Sequence, residues 1–255
     1  MTSTSLRNRL NKPLRWLLPV VFWVAVWWAA AAAVGMSLLI PTPPEVLRTL
    51  GDLIVTSAFW RYTGTSLLRI MVGLVIGIAA GVVTAIATSR SALLRALLAP
   101  AVRVVRATPV ASFILLVLLW SDRNYVPAVI AALVVLPIIW ESTCAGIAGV
   151  DKNLMEFARA YRLTRLDTLR HVVLPAMLGH LSAAVCTAIG LAWKSGIAAE
   201  VLCTPLAAIG TKVYHAKLYL DTPALFAWTL VVILLSMTVE RLARLLLLGR
   251  REAER

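Results

Sequence analysis

Six stretches of the chain carry no Asp, Glu, Lys or Arg and are apolar almost throughout: 16–44, 70–89, 107–121, 124–140, 171–193 and 222–239. A charge at the centre of a bilayer costs several kcal/mol, and a helix needs about 20 residues to cross about 30 Å of hydrocarbon. The pattern therefore predicts an all-α integral membrane protein with six transmembrane helices, over approximately 16–36, 65–89, 98–121, 124–141, 172–196 and 222–246. The third and fourth stretches are short, so those helices are expected to draw in flanking residues such as 98–105, with Arg103 and Arg106 reaching towards the headgroups. Nothing divides the series, and residues 1–255 are expected to form one membrane domain.

Alternate crossing sorts the 25 basic residues unevenly: eighteen fall on the side that holds both termini, seven on the other. Basic residues accumulate on the cytoplasmic side of membrane proteins, so both termini are expected there. A cleaved signal peptide is the competing reading of the basic start, the apolar run and the string Ala29–Ala33. The run is long for a signal sequence, and its removal would leave five spans, so an uncleaved first helix is expected. In the second span Gly73, Gly77 and Gly81 recur every fourth residue, a stripe of small residues that lets another helix backbone approach.

Composition narrows the class. The chain is 60% hydrophobic and 15% charged, against roughly 45–50% and about 25% in soluble domains. A formal charge of +13 could suggest a nucleic-acid binder, but such a domain would not be this apolar. Disorder is excluded by the same apolar content. Cys144, Cys186 and Cys203 lie scattered in apolar sequence and do not read as a disulfide framework. No nucleophile motif, H-E-x-x-H or C-x-x-C occurs, and His171, His180 and His215 show no ligand spacing, so neither a catalytic nor a metal site is expected. No Gly-Lys dipeptide occurs, hence no phosphate-cradling P-loop; any ATP must be handled by another protein.

The most informative polar stretch is the loop 151–171 between the fourth and fifth spans. Leu154, Phe157, Ala158 and Tyr161 recur at three- and four-residue steps, which predicts a short amphipathic helix with Asp151 as N-cap. Thr164 and Asp167 match a capping box that would open a second short helix carrying Leu163, Leu166 and Leu169. Such a hairpin could lie on anionic lipid or dock a cytoplasmic protein; both readings stand at this point.

Within that loop, Glu156-Phe157-Ala158-Arg159-Ala-Tyr161-Arg162, followed by Val172-Val-Leu174-Pro175-Ala, resembles the EAA loop of permease subunits of type I ABC importers. Glu156, Ala158, Leu174 and Pro175 match the pattern, while Phe157 replaces its central alanine and Arg162 its glycine. If that turn needs a positive φ, the arginine costs about 1 kcal/mol relative to glycine. The resemblance continues over residues 40–248. Ile40-Pro-Thr-Pro-Pro-Glu-Val46, Arg106-Ala-Thr-Pro109, and Gly190-Leu-Ala-Trp193 followed by Ala198-Ala-Glu200 are similar to the nitrate, sulfonate and taurine branch. Trp120-Ser121-Asp122 departs from it, many relatives having an aromatic-glycine pair after the tryptophan.

The resemblance implies the type I permease fold in a bacterial inner membrane, a homodimer of this chain, two ABC ATPase subunits that bind ATP and Mg, and an extracytoplasmic substrate-binding protein. No cofactor is expected in this chain. ATPase coupling would fall to Glu156, Phe157, Ala158, Arg159, Tyr161, Arg162, Leu174 and Pro175. Lys194 stands just after Trp193 towards the far end of the fifth span, where it can snorkel to the interface, pair with Glu200 or face the translocation path. Trp193, Lys194 and Glu200 are the path candidates. The implied cargo is a small anionic or polar solute of the sulfonate, nitrate, taurine or vitamin-precursor type. A secondary transporter, a channel or a membrane scaffold is the alternative.

Overall fold

The computed structural model describes the backbone of residues 3–252, without the side chains of 3–16, Lys152, Arg159, Arg165, Leu166 and 248–252. Eleven helices follow in chain order: α1 (Ser3–Val34), α2 (Pro43–Ile54), α3 (Ser57–Arg90), α4 (Ala92–Ala107), α5 (Val110–Trp120), α6 (Val126–Ala148), α7 (Lys152–Ala160), α8 (Arg165–Thr168), α9 (Leu174–Cys203), α10 (Ile209–Leu218) and α11 (Thr222–Glu252). A π-helical turn, Leu169–Val173, joins α8 to α9.

Among the described residues, five segments are long and apolar enough to cross a membrane: Leu17–Val34, Ser57–Arg90, Val126–Ala148, Leu169–Cys203 and Thr222–Leu247. The third predicted span is not one helix. Residues 92–107 and 110–120 form two helices that meet at 109°. The break falls at Thr108-Pro109, where Thr108 is extended (φ −79°, ψ 132°). Proline crowds an α-helical residue before it and supplies no N–H to continue the ladder. The fourth and fifth spans also run beyond their predicted ends, to Ala148 and Cys203. Both helices carry a charged residue past the charge-free run, Glu141 in α6 and Lys194 in α9.

The chain folds as two compact units, one of residues 1–60 and 212–231, the other of 61–211 and 232–255. In the first, the Trp27 indole N–H donates to the Pro41 carbonyl (3.1 Å), and its ring stacks on Phe226 at 5.8 Å. Phe59 stacks on Trp228 at 5.2 Å, and the Thr222 hydroxyl donates to the Leu38 carbonyl at 2.5 Å. Prolines at the first two positions of α2 set its entry, and the Thr42 N–H donates to Glu45 Oε2 at 2.8 Å.

In the second unit the glycine stripe of α3 lies on α6 of the same chain. A Cβ at Gly73 would strike the Ala128 carbonyl oxygen; at Gly77 it would lie 2.8 Å from the Ala132 carbonyl oxygen, and at Gly81 2.8 Å from Ile139 Cβ. Two further glycines bring α9 against its neighbours: Gly146 of α6 accepts the Met177 backbone, and Gly196 of α9 accepts Ile70 of α3. Without water to drive helices together, such close backbone approach is a main source of adhesion between membrane helices.

Candidate functional site

The loop predicted as a hairpin forms one. Asp151 caps α7, its Oδ1 accepting the Asn153 N–H at 2.8 Å. Helical spacing turns Ala158 inward, 2% exposed, and leaves Glu156, Phe157 and Tyr161 outside. Phe157 is 56% and Tyr161 69% exposed, and as i, i+4 neighbours their rings meet at 4.3 Å. The side chain of Arg159 lies outside the described residues. The helix closes in a left-handed residue, Arg162, with φ 52°, and the Leu163 N–H reaches back to the Ala158 carbonyl at 2.9 Å. This is a Schellman closure in which glycine is the favoured residue. Thr164 then starts α8 as predicted: its Oγ accepts the Asp167 N–H at 3.2 Å, and its hydroxyl donates to Asp167 Oδ2 at 2.5 Å.

The hairpin runs into α9 without a loop. Pro175 has no N–H for a bond to the fourth residue before it, and the backbone widens into the π turn just ahead, where Leu174 N–H donates to the Leu169 carbonyl. Leu174 and Pro175 are exposed. The hairpin is thus continuous in backbone with a 30-residue helix.

That helix lines a cleft of about 870 Å³ with α4, α5 and α6. Its walls are mostly apolar, including Phe113, Ile130, Pro137 and Leu191; its polar groups are Arg106, Glu141, Ser142, His180 and Thr187 among few others. Arg106 pairs with Glu141 there, both well exposed, and the Ser142 hydroxyl donates to the His180 carbonyl at 2.9 Å. An apolar wall with a few placed polar groups is the usual make-up of a small-molecule site. Arg106, expected to reach towards the headgroups, instead meets Glu141, whose only mark in the sequence is that it borders a charge-free run.

The three path candidates separate. Trp193 is 1% exposed, its indole N–H donating to the Val232 carbonyl at 3.0 Å, and it does not line this cleft. Glu200 is fully buried and does not pair with Lys194: its Oε2 accepts the Ser66 hydroxyl at 2.8 Å and the Gly210 N–H at 3.0 Å. Ser66 also accepts the Ile209 N–H at 2.9 Å, so one carboxylate and one hydroxyl hold the start of α10 to α3. Next to them Arg69 donates to the Leu206 carbonyl at 2.7 Å, and Asn124 Oδ1 accepts the Leu206 N–H at 2.9 Å. Lys194 is exposed and lies nine residues before the end of α9. Among the described residues no group of three His, Cys, Asp or Glu side chains could hold a metal ion.

Apolar helices long enough to cross a membrane, with a capped polar hairpin running into a cavity-lining helix, make this a multi-pass membrane protein. The chain belongs to the family described as binding-protein-dependent transport system inner membrane component, which matches residues 73–251. It is 31% identical to SsuC of Escherichia coli K12, a permease named for aliphatic sulfonate transport, over 96% of this chain and 93% of SsuC. It is 31% identical to RibX of Chloroflexus aurantiacus, a riboflavin transport system permease protein, over 96% of this chain and 91% of RibX. The fold is shared with a chain of a bacterial ABC transporter involved in alginate import, with a TM-score of 0.63 at 15% identity over 98% of this chain and 99% of that one. The protein is thus a transporter permease of the ABC importer type and not a catalytic subunit.

Proposed function

We propose that this chain is the membrane-spanning half of an ATP-driven importer: a homodimer in a bacterial inner membrane, with two ABC ATPase subunits on the side of both termini and a binding protein on the other. ATP and Mg sit on the ATPase. The observation that carries the reading is the 151–171 hairpin, whose exposed Phe157–Tyr161 pair and Glu156 stand on a helix turn locked at both ends. Phe157 and Tyr161 are the apolar anchors for a groove in the ATPase, and Glu156 and Arg159 the polar contacts. Closure of the ATPase dimer draws the hairpins together, and the π turn passes that movement through Leu174 and Pro175 to α9 and the cleft it lines. A hairpin that rested on lipid would gain nothing from being hinged without a loop to a cavity wall.

The cargo is a small anionic or polar solute, with a sulfonate-type anion favoured by the likeness to SsuC. Purification of the tagged chain from its native membrane in mild detergent is expected to recover a P-loop ATPase in equal amount, together with a binding protein on which ligands can be screened. Glu156→Lys is expected to keep membrane insertion and lose ATP-dependent uptake and ATPase recovery. Normal uptake by that variant removes the docking role from the hairpin.

A further inference from the structure

A second cleft, of about 520 Å³, opens between α9 and the far part of α11. Lys194 and Arg244 line it, both exposed and, among the described residues, without an ion pair or hydrogen bond to the chain. Glu240 also lines it, but that carboxylate is engaged: Oε1 accepts the Ser236 hydroxyl at 3.2 Å and lies against Gly190, where a Cβ would approach to 2.6 Å. On the α9 side the cleft is lined by the small or polar residues Cys186, Thr187 and Gly190. Ala183, Thr187 and Leu191, one helical stripe, belong to this cleft and to the 870 Å³ cleft alike, so the two adjoin along α9.

Two cations against one carboxylate leave the cleft net positive. Unpaired cations in a span are costly unless they meet water or an anion. A cleft lined by a guanidinium and an ammonium suits an oxyanion group, which can take donors from both. We propose that Lys194 and Arg244 form a binding site for the oxyanion of a soluble small solute, a sulfonate or a comparable monoanion, on the flank of the α9 cavity. The proposal rests on the permease reading for its role in transport; the charge preference of the cleft is measurable without it.

Cys186 in the cleft lining is half-buried and free, which makes it a built-in probe. The full-length chain carrying Cys144→Ser and Cys203→Ser is placed in nanodiscs of zwitterionic lipid. It is labelled with sulfonatoethyl or trimethylammonioethyl methanethiosulfonate, the thiolate forming a disulfide and expelling methanesulfinate. Relative to a free thiol, Cys186 is expected to favour the sulfonate reagent by about tenfold. Lys194→Met and Arg244→Met are each expected to remove most of that preference, Lys194→Arg to retain it, and ethanesulfonate to protect the thiol. An absent preference, a preference that survives both methionine variants, or a thiol closed to both reagents overturns the site. Protection by phosphatidylglycerol in the nanodisc but not by ethanesulfonate also overturns it, since the anion is then a lipid headgroup. Co-purification of the ATPase tests the permease reading by itself, so the two can fail separately.

Discussion

Arg162 shows how a single residue records the demand of a turn. Its φ of 52° lies in the left-handed region, where a side chain costs about 1 kcal/mol that glycine avoids. Arg162→Gly is expected to slow hydrogen exchange of the Leu163 amide, whose bond to Ala158 closes the turn, by up to about fivefold, while Arg162→Val speeds it. Glu200 carries a different kind of necessity. Glu200→Leu would strip the partners from the buried Ser66 hydroxyl and Gly210 N–H at a cost of about 2–4 kcal/mol, and Glu200→Gln, which keeps an acceptor oxygen, far less. Thermal unfolding in detergent is expected to rank the leucine variant well below the glutamine one. Arg162 was legible in the sequence because the EAA loop that this stretch resembles has a glycine at that position. The sequence could not point to the role of Glu200, whose partners lie 134 residues before it and ten after it.

At the scale of elements, glycines on one helix have opposite meanings. Gly77 of α3 lies against the α6 backbone, while a Cβ at Gly64, thirteen residues earlier on the same helix, would meet nothing within 4 Å. Gly77→Ala is expected to destabilise by about 1–3 kcal/mol through overpacking. Gly64→Ala is expected to stabilise by up to about 1 kcal/mol through helix propensity, the pair being compared in one thermal-shift series. The four-residue period showed that a stripe existed; that its partner is α6 of the same chain is a fact of packing. The bend between α4 and α5 was legible only in part. Pro109 marks the place, but a proline inside a membrane span can kink, break or merely tilt a helix, and the 109° angle depends on what the two arms pack against.

For the molecule as a whole, hydropathy predicts six crossings and the charge bias predicts which side holds the termini. Alkaline phosphatase fused after residue 122 or 206 is expected to be active, as enzyme exported from the cytoplasm, and fused after residue 150 or 255 inactive. The reverse pattern would place the hairpin outside, where no ATPase could reach it. On the proposed sidedness the hairpin and the Glu200–Ser66 network stand at opposite ends of α9, and the two clefts lie along it between them.

What the sequence determined alone is what short-range physics controls. Spans follow from the cost of charge in hydrocarbon, the hairpin from caps and a helical period, and the missing P-loop from a missing dipeptide. Tertiary structure decided everything that depends on which helices meet. It buried Trp193, paired Arg106 with Glu141, gave Glu200 to Ser66 instead of Lys194, and brought Lys194 and Arg244 to one cleft. Each of those partnerships joins residues from different helices, and a period read along one helix holds no information about the neighbour it will face.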